Sequence, residues 1–352
     1  QQKNGDASSD GLYSAGFDAA WELDLFGRVK HSREASAADL EATVESLHDV
    51  QVSLLAEVAL NYLDVRSLQS RLRLAKGNTT LQGETYRLVQ SLFDAGLTSG
   101  LELKEAESNL ANTKSHIPPI KTGLSKAMHR LAVLSGQKPG MLDEFLTEPG
   151  PVPVAAPEIA IGIPADLMRR RPDIRQAERK LAAQSARIGV AVADLYPRFT
   201  LSGVLSFQAT DASNLFSTLS RSLSFGPSFQ WNIFNAGSVR NNITVQNERQ
   251  KQALLDYEKS VLISIEEVEN GMVAYAQELD RNQSLRQAVA ASKEAVRLAE
   301  SMYKDGLRDF NHVLTAQKSL FSQEDQLAES DAAISGNLIR LYKALGGGWN
   351  LI

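Results

Sequence analysis

From Leu219 to Ile233 the chain alternates without a break. Leu219, Arg221, Leu223, Phe225, Pro227, Phe229, Trp231 and Ile233 fall on one side, and Ser220, Ser222, Ser224, Gly226, Ser228, Gln230 and Asn232 on the other. A period of two over this length predicts a strand with one apolar and one polar face. Tyr13 to Leu25 and Phe199 to Phe207 alternate in the same way. A single such strand would read as the half-buried strand of a soluble sandwich, but soluble strands mostly run about 5–6 residues. These are longer. Their aromatic residues gather at the end next to a following helix, as Trp21 and Phe26 and as Phe229, Trp231 and Phe234. Three together read as transmembrane β-strands, apolar towards lipid and polar towards a lumen, with an aromatic girdle at one interface.

Three strands, or four with one more supplied, cannot close a barrel. An open edge in lipid leaves main-chain groups unpaired, so other copies of the chain must complete it. Three copies of four strands give twelve, an even number in the usual range.

Other solutions are narrowed by composition. The net charge of −5, without a dense Lys/Arg block, argues against a nucleic-acid partner. No apolar run approaches the roughly 18 residues of a membrane-spanning helix. There is no cysteine, and the five histidines (His31, His48, His116, His129, His312) show no metal-ligand spacing. With no P-loop, nucleophile elbow or Gly-rich fingerprint, neither cofactor nor metal nor enzymatic activity is expected. The opening "QQKNGDASSDG" reads as loop interior and not as a natural start.

The chain also repeats itself at an offset of 210 residues. Trp21, Gly27 and Val29 match Trp231, Gly237 and Val239; Arg87, Leu88, Gly96 and Leu97 match Arg297, Leu298, Gly306 and Leu307; Arg130 and Gly136 match Arg340 and Gly346. Each copy leaves its strand at a glycine and enters a long helical pattern. Arg240 to Lys304 contains no proline, and Val261, Ile265, Val268, Met272, Tyr275 and Leu279 alternate in 4–3 steps, as Leu55, Val58, Tyr62, Val65 and, past a polar Gln69, Leu72 do in the first copy. That spacing is a coiled-coil seam, and such a helix is a rod of roughly 100 Å. Each rod ends at a glycine turn, Gly96 or Gly306. A second helix returns over about Leu101–Ser135 and Asn311–Leu345, the first broken by Pro118 and Pro119.

The expected fold class is mainly α with β: long antiparallel coiled-coil helices and membrane strands in a two-fold repeat. The expected divisions are a strand and loop (1–27), a helical hairpin (28–136), a linker (137–171) expected to add short strands around the outside of the helical bundle, a helix leading to the membrane (172–197) with Pro172 in its first turn, a β-hairpin (198–237), a second helical hairpin (238–346) and a terminal segment (347–352).

Three motifs carry a family resemblance: "AWELDLFGRV", "RRRPDIRQAERKLAAQSARIGVAVADLYPRFTLSG" and "YKDGLRDFNHVLTAQKSLFSQEDQLAESDAAISGNLIRLYKALGGGW". They resemble the TolC-like outer membrane efflux factors over nearly the whole chain. The resemblance implies a homotrimer, a twelve-stranded barrel in outer membrane lipid, a twelve-helix periplasmic α-barrel and an equatorial belt. It also implies work as the exit duct of a tripartite pump, with a periplasmic adaptor and an inner-membrane transporter as partners. The family's N-terminal helices and first strand, and the lipidated cysteine of many members, are absent from this sequence.

By position, the resemblance places the periplasmic aperture at Asn311 and Thr315, polar but uncharged where relatives often carry an aspartate. It places links that hold the mouth closed at Glu102, Tyr303 and Arg308; solvated tip residues would look the same. Adaptor docking falls on the tips, at Arg87, Leu88, Gly96, Leu97, Arg297, Leu298, Gly306 and Leu307. Trp21, Phe26, Phe229, Trp231 and Phe234 are expected as membrane-interface anchors, and His312 as a solvent-facing tip residue. Two other readings stay open, an exit duct for protein secretion and a soluble coiled-coil scaffold; the scaffold leaves the aromatic strands unexplained.

Overall fold

The computed structural model describes residues 11–153 and 170–347. The first ten residues, most of the expected linker (154–169) and the end of the chain (348–352) lie outside the described residues, and with them the expected short linker strands. The chain is mainly helical. In order it forms β1 (Tyr13–Leu23), α1 (Arg28–Asp94), α2 (Gly100–Ser115), α3 (Ile117–Leu134), α4 (Asp143–Leu146), α5 (Pro172–Ala193), β2 (Arg198–Ala209), β3 (Arg221–Gln230), α6 (Ser238–Lys304) and α7 (Phe310–Ala344). Two compact units divide it, Gln1–Glu45 with Arg175–Ser260 and Ser46–Ile174 with Val261–Ile352.

In the first unit the strands form an antiparallel sheet in the order β1-β2-β3. The third strand stops at Gln230, short of the expected Ile233, because its partner β2 begins at Arg198, which pairs with Gln230. At the other end Leu219 belongs to a 3-10 turn, Thr218–Ser220, and not to the strand. Below the sheet, α5 is fixed to α1 by an antiparallel ladder of ion pairs: Arg187–Asp39 at 2.5 Å, Arg179–Glu41 at 3.2 Å and Arg175–Glu45 at 2.6 Å. Buried alanines, Ala35, Ala38 and Ala42 of α1 and Ala183, Ala191 and Ala193 of α5, let these helices lie close.

In the second unit Val65 of α1 is fully buried with Met128 and Leu131 of α3 and Leu146 of α4, and Val58 and Tyr62 pack against them. Val268 of α6 is buried against Leu341 and Ala344 of α7, with Met272 beside it. The seams are buried unevenly, however: Val65, Gln69 and Val268 are buried, whereas Leu55, Ile265 and Leu279 stay exposed. Gln69, the polar break in the first seam, is buried and donates its amide to the Leu146 carbonyl at 2.6 Å. The break at the prolines falls at His116, with Pro118 and Pro119 in the first turn of α3, where a missing N–H costs nothing.

Helix ends repeat one device. Gly96, Gly136, Gly306 and Gly346 all have φ of 71–74°. Leu97 N donates to Leu92 O at 2.8 Å, Gln137 to Ala132 at 2.8 Å, Leu307 to Met302 at 2.8 Å and Gly347 to Tyr342 at 3.1 Å. These are Schellman caps, in which a left-handed residue turns the chain back to satisfy the last carbonyls.

Candidate functional site

Two surfaces carry the chemistry the sequence points to. The first is the sheet. Its register aligns Trp21 with Leu201 and Leu201 with Pro227; Phe17 with Leu205 and Leu205 with Leu223; and Leu23 with Phe199 and Phe199 with Phe229. Directly paired residues share a face, so this face is apolar from edge to edge. The other face carries Ser14, Asp18 and Glu22 of β1, Thr200, Ser202 and Ser206 of β2, and Ser222, Ser224 and Ser228 of β3. Phe17, Leu223, Phe225 and Phe229 are largely exposed. Such a face is stable in lipid, whereas in water it would be an adhesive patch.

At the helix-proximal end the expected anchors divide. All five, Trp21, Phe26, Phe229, Trp231 and Phe234, are exposed, but two of them also make specific contacts. Trp231 donates its indole N–H to the Leu195 carbonyl at 3.1 Å, and Phe26 stacks on Tyr196 with centroids 4.6 Å apart. Those two therefore also brace the junction between strand and helix. Glu22 accepts two bonds from the Arg28 guanidinium there, and Asp24 caps α1 by accepting from the N–H groups of Val29 at 3.0 Å and Lys30 at 2.7 Å.

The second surface is the set of helix tips in the second unit. Val89, Ala106, Phe310 and Val313 are buried together there, joining α1, α2 and α7, and the ring of Tyr303 of α6 lies tilted against that of Phe310, centroids 5.4 Å apart. Glu102 and Tyr303 are brought together: the phenol donates to Glu102 Oε2 at 3.3 Å, and the Thr98 hydroxyl donates to the same oxygen. Burial, and after it the Glu102 charge, pushes the Tyr303 phenol above its ordinary value. Arg308 lines the same groove, of about 830 Å³, with Leu88, Gly96, Leu97 and Gly306, but makes no ion pair among the described residues.

The equivalent tip positions are exposed alike, Leu88 at 42% against Leu298 at 43% and Leu97 at 74% against Leu307 at 71%. Their arginines differ, since Arg297 is tied to Glu294 of its own helix by two bonds. Asn311 and Thr315 line a second groove, of about 890 Å³, with Ser108, Asn112 and Lys318. His312 is exposed, 3.7 Å from Asp309.

Sequence reasoning missed a buried amide relay behind these grooves. Asn109 donates to Gln82 at 2.6 Å, Gln82 to Gln317 at 2.9 Å, and Gln317 to Glu300 at 2.9 Å, so α2, α1, α7 and α6 are bonded in series. The terminal carboxylate only accepts, which fixes the direction of every amide behind it. It also missed the partners of Arg171, in the Arg-Pro-Asp motif. That guanidinium is buried, bonds Asp173 and Glu267, and donates to the Ala344 carbonyl at the end of α7 at 2.8 Å.

A family profile described as outer membrane efflux protein matches residues 1–137 and 163–347. The solvent efflux pump outer membrane protein SrpC of Pseudomonas putida is 32% identical over 351 residues, covering 99% of this chain and 73% of its own. The cation efflux system protein CusC of Escherichia coli O6:H1 is 31% identical over 346 residues, covering 98% and 75%. Among solved structures, the outer-membrane channel OprN superposes with a TM-score of 0.90 at 39% identity, over 96% of this chain and 76% of that one. The open-state MtrE outer membrane channel of Neisseria gonorrhoeae gives 0.80 at 27%, over 96% and 81%. The chain belongs to the outer membrane efflux protein family. It is an efflux channel of the outer membrane, with a large helical part in the periplasm.

Proposed function

We propose that three copies of this chain's full-length protein form the exit duct of a tripartite efflux system, carrying small molecules from an inner-membrane transporter and a periplasmic adaptor to the outside. The sorted faces of the sheet carry this reading. A sheet with lipid on one side and water on the other, and with free edges, is stable only when closed into a barrel. Four strands from each of three copies would close twelve.

The helices continue that tube. Two copies of a 210-residue unit supply it, a reading supported by α1 and α6 having the same length of 67 residues and by their matching caps. On this proposal Asn311 and Thr315 form the aperture, and Glu102, Tyr303 and Arg308 hold it closed. The adaptor seats on the tips around Arg87, Leu88, Gly96, Leu97 and Arg297, Leu298, Gly306, Leu307. Exposed polar links are worth about 0–1 kcal/mol each, which suits a mouth that must open.

The solvents and cations in the relatives' names make small solutes the favoured cargo. The test is genetic: cells lacking the full-length gene should become sensitive to part of a panel of small toxic compounds and regain resistance when it is restored. Unchanged sensitivity with loss of one secreted polypeptide would favour the protein-secretion reading instead.

A further inference from the structure

The strands meet the helices at Leu23, Arg198 and Gln230, so Tyr13, Ala209 and Arg221 mark the sheet's far rim. Arg221 pairs with Phe207, and Phe207 with Ala15. It therefore stands on the apolar face. Its guanidinium makes no hydrogen bond or ion pair among the described residues, and neither does the phenol of Tyr13 on the same face. The connecting loop folds back over this spot. The rings of Phe216 and Phe207 lie 5.6 Å apart, while Leu219 is 98% exposed. The loop is held in shape from within: the Ser220 hydroxyl donates to the Asn214 carbonyl at 2.7 Å and lies 3.0 Å from that of Ser217.

A bare guanidinium among aromatic side chains at the rim of a lipid-facing surface needs an anion that itself comes with apolar chains. Its planar fork matches two phosphate oxygens, and the apolar cluster matches acyl chains. We propose that Arg221 and Tyr13, with Phe207, Phe216 and Leu219, bind the phosphate group of an outer-leaflet lipid. The outer leaflet follows from the helices being periplasmic and the site lying at the opposite end of the strands; the site thus rests on the membrane orientation proposed above.

The test uses the full-length protein in detergent, titrated with bisphosphorylated lipid A or its dephosphorylated counterpart and read by native mass spectrometry. The wild type should retain the phosphorylated lipid, Arg221→Gln should retain about tenfold less, and Arg221→Lys should fall between. Phe216→Ser should weaken retention of both lipids, and millimolar inorganic phosphate should displace neither. Equal retention by the wild type and Arg221→Gln, equal retention of the two lipids, or displacement by inorganic phosphate would each overturn the site. Failure of the membrane reading itself would show earlier, as a full-length chain that fractionates without detergent.

Discussion

At the two tips Gly96 and Gly306 close the same Schellman turn, yet the chain returns from the first as two helices, α2 and α3, and from the second as one, α7. The difference traces to two residues. Pro118 and Pro119 lack amide hydrogens, and their rings would clash with carbonyls one turn earlier. The positions 210 residues on are Ala328 and Glu329, both good helix formers. The far ends also differ. At the end of α3 the Leu131 carbonyl is met by the hydroxyl of nearby Ser135 at 2.9 Å, whereas at the end of α7 the Ala344 carbonyl is met by Arg171, from a distant part of the chain. Glycine thus sets where each arm turns and proline sets whether it is continuous, while a cation from a distant part of the chain meets the end carbonyl of the second.

The sharpest way to break this contrast is to give α7 the proline of the other arm. Ala328→Pro should cost about 3 kcal/mol or more, read as a collapse of the unfolding midpoint of the full-length protein, while Pro118→Ala should shift it little. Arg171→Ala comes next. It removes a buried guanidinium from the Ala344 carbonyl and from two carboxylates that stay open to solvent, and should cost about 2 kcal/mol, whereas Ser135→Ala at the first arm should cost less than about 1 kcal/mol. Gly96→Ala and Gly306→Ala should each cost about 1–2 kcal/mol, because both force a side chain into the left-handed region; markedly unequal losses in thermal unfolding would mean that the tips are not equivalent. At the gate, Arg308→Ala should raise single-channel conductance of the full-length assembly in a planar bilayer, and unchanged conductance would remove Arg308 from the closing links.

The smallest effect concerns pH. Burial, and then the charge of Asp173, raises the Asp49 carboxyl above its ordinary 3.8, while Lys343 and Arg171 pull it back. A raised carboxyl favours the folded state below its unfolded value and loses that contribution as pH rises through the folded one. Asp49→Asn should therefore stabilise the protein slightly at neutral pH, solvent screening of the partly exposed carboxylate keeping the gain small. The gain should vanish in acid, as denaturant melts at two pH values would show.

Local signals carried most of the fold. Alternation found the strands, the glycines found the caps, and the prolines found the break, because each acts through its own backbone. Alternation could not find the end of β3, since Trp231 and Ile233 continue the pattern beyond the last residue with a ladder partner. The links between helices were hidden for the same reason. Gln82 and Gln317 look like ordinary polar residues of a helix, and only packing brings residues 235 positions apart into one buried bond. The motif around Arg171 was visible without its partner, the carbonyl of Ala344. At the tip, Glu102 and Tyr303 were singled out by resemblance, and the structure places them in contact.

The central claim is that the two faces of the sheet meet different solvents. This chain has no cysteine of its own, so single cysteines can be placed along β3 and probed in native membranes with a water-soluble maleimide, the protein without them serving as the labelling control. Positions 222, 224 and 228 should label, and 223, 225 and 229 should label only with a lipid-soluble reagent. Equal labelling along the strand, or the reverse alternation, would contradict the account.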